Sequence, residues 1–187
     1  MSDVSCVSEA RAAVEQLIRE AGFDSVGVCA ASSLKVLEEV RDMCAADRCR
    51  AYGRSWSCPP ACGSLDQFAA LFARYQDCIV FQTTLPLEDD FDYEGMVAAK
   101  ALHDKRSLRL AMGVLDSGHD VSLLGAGSCM LCGEDACTCP DEPCVNPELM
   151  HPSMEAAGLW VSEVCKTAGV PYNHGPQSMT YTSCALV

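Results

Sequence analysis

VSLLGAGSCMLCGEDACTCPDEPC, running from Val121 to Cys144, changes character within its own length. Its opening, Val121 to Gly127, is apolar or glycine and reads as a short buried strand. The remainder holds five cysteines, at Cys129, Cys132, Cys137, Cys139 and Cys144, among Gly, Pro, Asp and Glu. That mixture builds neither a helix nor a strand and must be a loop. A buried strand that feeds a thiol-dense polar loop implies an ordered scaffold carrying a site.

The flanking sequence supplies the scaffold. Residues 8–22 predict a helix, with Ser8 as a cap, Val14, Leu17, Ile18 and Ala21 on one face and Gly22 as terminator. FDSVGVCAA, from Phe23, predicts a strand. A second helix is expected from Leu34 to Met43, with Leu34, Leu37, Val40 and Arg41 at helical spacing. The stretch from Cys44 to Ser64 is rich in Gly, Pro and Ser and is expected to be irregular. Ser64 then caps a helix bearing Leu65, Phe68, Ala69 and Phe72 on one face. DCIVFQTTL, from Asp77, is the clearest strand. A long helix follows from about Glu94 to Asp116, ending near Gly118. Beyond the five-cysteine loop, Ser153 is expected to start a short helix, WVSEVCKTAG to form another, and MTYTSCALV to be a terminal strand. The alternation predicts an α/β domain, or an α+β one, spanning residues 1–187. A mixed central sheet would be flanked by helices and by two cysteine-rich loops.

Composition narrows the function. At 187 residues the chain buries enough surface, roughly 70%, to hold a core without covalent staples. Its N-terminus carries charges throughout and has no apolar h-region, which points to the cytoplasm. With 26 acidic and 13 basic residues the formal net charge is −13, and no basic patch exists to neutralise phosphates. Nucleic acid and anionic membranes are therefore excluded, and a protein redox partner fits better. Fourteen cysteines in such a chain point to metal binding or redox chemistry.

The cysteines divide by setting. Cys6, Cys29, Cys78, Cys165 and Cys184 are dispersed, and several lie in apolar stretches where a thiol behaves as a small hydrophobe. Five others fall in the 16 residues from Cys129 to Cys144, where a random scatter gives about one. Four more, Cys44, Cys49, Cys58 and Cys62, fall within 19 residues. Unoccupied thiols in surface loops are prone to oxidation, so something is expected to hold them. Cys129, Cys132, Cys137 and Cys144 have the spacing to converge on one site.

Both iron–sulfur clusters and zinc take four thiolates. The second loop has only one C-x2-C knuckle, and prolines sit beside cysteines in both loops, at Pro59-Pro60, Pro140 and Pro143. That favours a [4Fe–4S] cluster, one or two per chain, with zinc as the alternative. A zinc-stabilised, non-catalytic binding module is the corresponding second reading. A third is a thiol–disulfide protein using Cys129 and Cys132, but such a site needs a helix N-terminus after the first thiol, and GEDACTCPDEP predicts none.

The stretches CRAYGRSWSCPPACGSLDQF, LLGAGSCMLC and CTCPDEPCVNPELMHPSMEAAG resemble an uncharacterised prokaryotic family of predicted metal-binding proteins. The likeness runs from the first cysteine loop to Gly158. It implies a metal but no reaction. The family pattern falls on Cys44, Cys49, Cys58, Pro59 and Pro60, and in the second loop on Cys129, Cys132, Cys137 and Cys144. Here four residues, Gly133 to Ala136, separate the second and third cysteines where the family has two. The third ligand is thus Cys137 or Cys139, and we take Cys137.

Other features carry less. Gly125 and Gly127 follow a strand, but Met130 stands where a dinucleotide fingerprint needs its third glycine. His151 lies near the second cluster and is a substitute ligand should Cys144 not serve. Trp56 and Tyr52 are placed to shield the thiols. The acidic run Asp89, Asp90, Asp92 and Glu94 reads as a solvated loop or helix start. No catalytic constellation is legible.

Overall fold

The structure, a computed structural model, describes residues 3–133 and 136–187. Helix α1 (Asp3–Ala21) precedes β1 (Ser25–Ala30), a 3-10 turn over Ala31–Ser33, α2 (Glu38–Ala45) and α3 (Leu65–Phe72). Then come β2 (Asp77–Pro86), α4 (Tyr93–Ser117), β3 (Ser122–Leu124), α5 (Val161–Ala168) and β4 (Ser178–Leu186). The chain has an α/β fold in which one four-stranded sheet, ordered β1-β2-β4-β3, lies between helices.

Alternation along the central strands separates two cores. Cys78 and Val80 of β2, with Cys184 and Leu186 of β4, face α3, α5 and the segment around Met154. Ile79, Phe81 and Ala185 face α1 and α4, where they meet Val14, Ile18, Leu110 and Val114. All of these are buried. Three of the dispersed cysteines, Cys29, Cys78 and Cys184, share the first core, as does Cys165, in agreement with a packing role. The side chain of Cys6 lies outside what is described.

The element ends have local causes. Gly22 and Gly118 adopt φ of +86° and +69°, which stops α1 and α4. Ser64 closes a capping box on α3: its hydroxyl accepts from Gln67 N–H while the Gln67 side chain accepts from Ser64 N–H. Asp92 caps α4 by accepting from Gly95 N–H at 2.8 Å. Helix α1 begins at Asp3, so Ser8 sits inside it rather than at its cap.

Three expectations are corrected. The sheet, expected to be mixed, is antiparallel at each of its three strand pairings. Strands β2 and β3 run parallel to each other and α4 joins them as a crossover, yet β4 is inserted between them, antiparallel to both. The alternation of elements reveals the crossover and conceals the insertion. Strand β3 covers only Ser122–Leu124, because Gly125 leaves the sheet to form a parallel bridge with Ser153. There Gly125 N–H donates to Pro152 O and Met154 N–H to Gly125 O. Finally, Ser153 does not start a helix. Its hydroxyl accepts from Ala156 N–H at 3.0 Å and holds a turn that closes at Gly158, where φ is +78°. Among the described residues no helix is long and apolar enough to cross a membrane.

Candidate metal centre

The two cysteine loops fold against each other. The second is launched from β3 by the Gly125–Ser153 bridge. Its next residues contact the first loop through Ser57, which is fully buried. Cys129 N–H donates to Ser57 Oγ at 2.8 Å, and that oxygen lies 2.9 Å from Ser55 Oγ and 3.8 Å from Cys58 Sγ. Trp56 ties the loops a second time, its Nε1–H donating to Glu142 O at 3.2 Å. One hydroxyl therefore touches a thiol of the first loop and the backbone of a thiol-bearing residue in the second.

In the second loop, Cys129, Cys132, Cys137 and Cys144 line one small cavity of about 20 Å3, walled by Trp56, Leu131 and Met150. Asn146 enters the same space and its amide donates to Cys132 Sγ at 3.6 Å. Burial, reinforced by the neighbouring thiols Cys132, Cys144 and Cys137, pushes the Cys129 thiol up. Cys139 does not line the cavity. A turn in which Thr138 Oγ–H donates to Pro143 O and Glu142 N–H to Thr138 O carries it away, and its Sγ points toward Gly53 O at 3.9 Å. Glu134 and Asp135, between the second and third cysteines, lie outside the described residues.

In the first loop, Cys44 closes the last turn of α2. Asp47 builds the next turn, its carboxylate accepting from Tyr52 N–H at 2.9 Å and from Arg54 at 2.6 Å. The bond from Tyr52 N–H is the main reason its acidity is raised. Asp47 and Arg50 both take positive φ, 47° and 57°, and between them Cys49 is exposed. Cys58 is buried, and burial pushes its thiol up to about 11. Cys44, Cys49 and Cys58 line a second cavity, of about 300 Å3, together with Arg48, Tyr52 and Glu155. Cys62, one helical turn beyond Cys58, is packed against the apolar core.

The donor chemistry fits a metal. Four thiols line the second-loop cavity, and among the described residues no acidic side chain shares it. In the first loop, Arg41 donates from Nη1 to Gly63 O at 3.0 Å and lies over the Phe68 ring. Its Nε and Nη2 are buried with no hydrogen-bond partner among the described residues. Burial pushes the Cys44 and Cys62 thiols up, and the Arg41 charge opposes that rise. A buried guanidinium with two unpaired N–H groups calls for negative charge beside it, and bound thiolates would supply that charge. Among the described residues, no three Cys, His, Asp or Glu side chains converge at the spacing of one metal ion.

Sequence reading missed Ser57, Asn146, Glu155 and Arg41. Arg41 had a signal, being a cation in the helical spacing read over Leu34, Leu37 and Val40, although α2 begins only at Glu38 and leaves Leu34 and Leu37 ahead of it. His151 stands apart from the four-thiol cavity. It lines a separate cavity of about 330 Å3 with Ser107, and burial lowers its pKa to about 4. No curated protein and no solved structure matches the chain. A model of the predicted metal-binding proteins termed domain of unknown function 2284 (DUF2284) matches residues 27–187, and the chain belongs to that family.

Proposed function

We propose that the protein holds a [4Fe–4S] cluster on Cys129, Cys132, Cys137 and Cys144 and serves electron transfer to a partner enzyme. The observation that carries this reading is the shared cavity of those four thiols, from which Cys139 is turned away. Zinc is usually held by paired C-x2-C knuckles, whereas this loop has one knuckle and prolines beside its cysteines, which favours a four-iron cluster. When bound, such a cluster takes up and releases single electrons. Trp56, Leu131 and Met150 keep water from the sulfurs. The Asn146 amide donates to Cys132 Sγ, which withdraws electron density from that sulfur and raises the potential.

A second centre on Cys44, Cys49, Cys58 and Cys62 is supported by the unpaired N–H groups of Arg41. The thiol–disulfide reading is weakened by the second loop itself. Among the described residues no helix begins between Cys129 and Cys144, and burial pushes the Cys129 thiol up rather than down. An acidic surface of net charge −13 suits a basic protein partner in the cytoplasm, and does not suit nucleic acid or anionic membrane.

Purification without oxygen followed by iron, sulfide and zinc analysis tests the proposal. Brown protein with iron and sulfide in equal amounts is expected. Colourless protein with stoichiometric zinc overturns it in favour of a zinc-stabilised binding module.

A further inference from the structure

One cavity is unused by the metal centre, and three parts of the chain line it. It measures about 330 Å3 and lies between α4, the start of the second cysteine loop and the segment ahead of Met154. Leu108 and Ala111 of α4, Leu131 of the loop and Leu149 give it apolar walls. Cys129 and Leu131 line both this cavity and the four-thiol space, so the two spaces share a wall. Ser107 and His151 are the polar exceptions in its lining. Ser107 Oγ and His151 Nε2 are buried and have no hydrogen-bond partner among the described residues.

We infer that this cavity binds a small, uncharged and mainly apolar molecule through one hydroxyl or carbonyl oxygen, which Ser107 and His151 hold. A polar atom left unpaired away from water is destabilising, and a polar group of a ligand relieves two of them at once. Ser107 Oγ–H can donate. Burial keeps the His151 imidazole neutral, so Nε2 donates or accepts according to its tautomer. A ligand hydroxyl answers both side chains, and a carbonyl oxygen accepts from both. Nothing in the lining calls for a charged ligand: Asp104 is already bound by Lys100 at 2.6 Å, and Lys105 is exposed. The volume accommodates a molecule of two fused rings. The inference goes beyond the cluster reading, because the chain's own side chains build the cavity whichever metal fills the second loop.

The test uses the full chain, purified without oxygen, in equilibrium titrations with 2-naphthol, naphthalene and 2-naphthoate. One 2-naphthol is expected to bind per chain, and naphthalene, which lacks the hydroxyl, at least about tenfold more weakly. Ser107→Ala is expected to weaken 2-naphthol about tenfold and to leave naphthalene unchanged, and His151→Phe also to weaken 2-naphthol. Circular dichroism checks that each variant folds, and Ser107→Ala, which removes one oxygen atom, keeps the test decisive if His151→Phe does not. Equal affinity for 2-naphthol and naphthalene overturns the inference, as does an absence of binding or 2-naphthol affinity unchanged in Ser107→Ala. Tighter binding of 2-naphthoate overturns the uncharged class. Colourless zinc protein that binds 2-naphthol in the expected pattern keeps this inference and sinks the cluster reading. Brown protein with iron and sulfide that binds none of the probes does the reverse.

Discussion

Cys137 and Cys139 are separated by one residue and point into different surroundings. Cys137 joins the space lined by Cys129, Cys132 and Cys144, while Cys139 is turned toward the first loop at Gly53. Cys137→Ala is therefore expected to remove the second-loop metal and Cys139→Ala to keep it, as read by iron per chain. The opposite pattern would make Cys139 the ligand. A second single-residue expectation concerns His103, buried in α4 between Thr83 Oγ1 at 3.0 Å and Ser183 Oγ at 2.7 Å. Burial, aided by Lys100 and Arg106, lowers its pKa from 6.5 to about 3. Between those values the unfolded chain binds a proton that the folded chain refuses, so stability is full above pH 6.5 and falls as pH drops toward 3. The expected loss is about 1.4 kcal/mol per pH unit within that window. Comparing denaturant midpoints at neutral and mildly acidic pH, His103→Gln should lose less stability than wild type; an equal loss refutes the assignment.

At the scale of elements, β1 and the end of α5 approach closely. Gly27 of β1 sits where a Cβ would collide with the Ala168 carbonyl oxygen and would meet Val170 Cγ1 at 2.7 Å. Because the obstacle is backbone, the neighbour cannot swing aside, and Gly27→Ala should cost ~1–3 kcal/mol in a urea titration. A neutral result would show that α5 moves freely. This join was invisible in FDSVGVCAA, since a glycine in a strand does not say what approaches it. Much else at this scale was legible. Ser64 before Leu65 announced its capping box, and Gly118 marked the end of α4, because both signals are local. Ser153 misled for the same reason: its hydroxyl caps a turn as well as it caps a helix. The site followed the same divide. Clustering alone brought out Cys129, Cys132 and Cys144, whereas Ser57 and Asn146 act across folded contacts that no spacing records.

For the whole molecule, the two cores lie on opposite faces of the sheet and draw almost nothing from the loops. Cys29, Cys78, Cys165 and Cys184 pack in one core, and of the loop cysteines only Cys62 rests against it. Removing the metal with a chelator under reducing conditions should therefore preserve far-ultraviolet circular dichroism. The change should appear in the near-ultraviolet signal of Trp56, which spans both loops. Loss of the far-ultraviolet signal would mean that the metal holds the sheet together.

Strand β4 comes after every other element in the chain, yet it occupies the sheet between β2 and β3. On the ribosome, then, both cysteine loops are made before the strand that closes the sheet exists. Until Ser178–Leu186 emerges, β2 and β3 have no shared neighbour and the thiols are held by a half-built scaffold. The order of synthesis therefore completes all nine loop cysteines before the strand that closes the sheet.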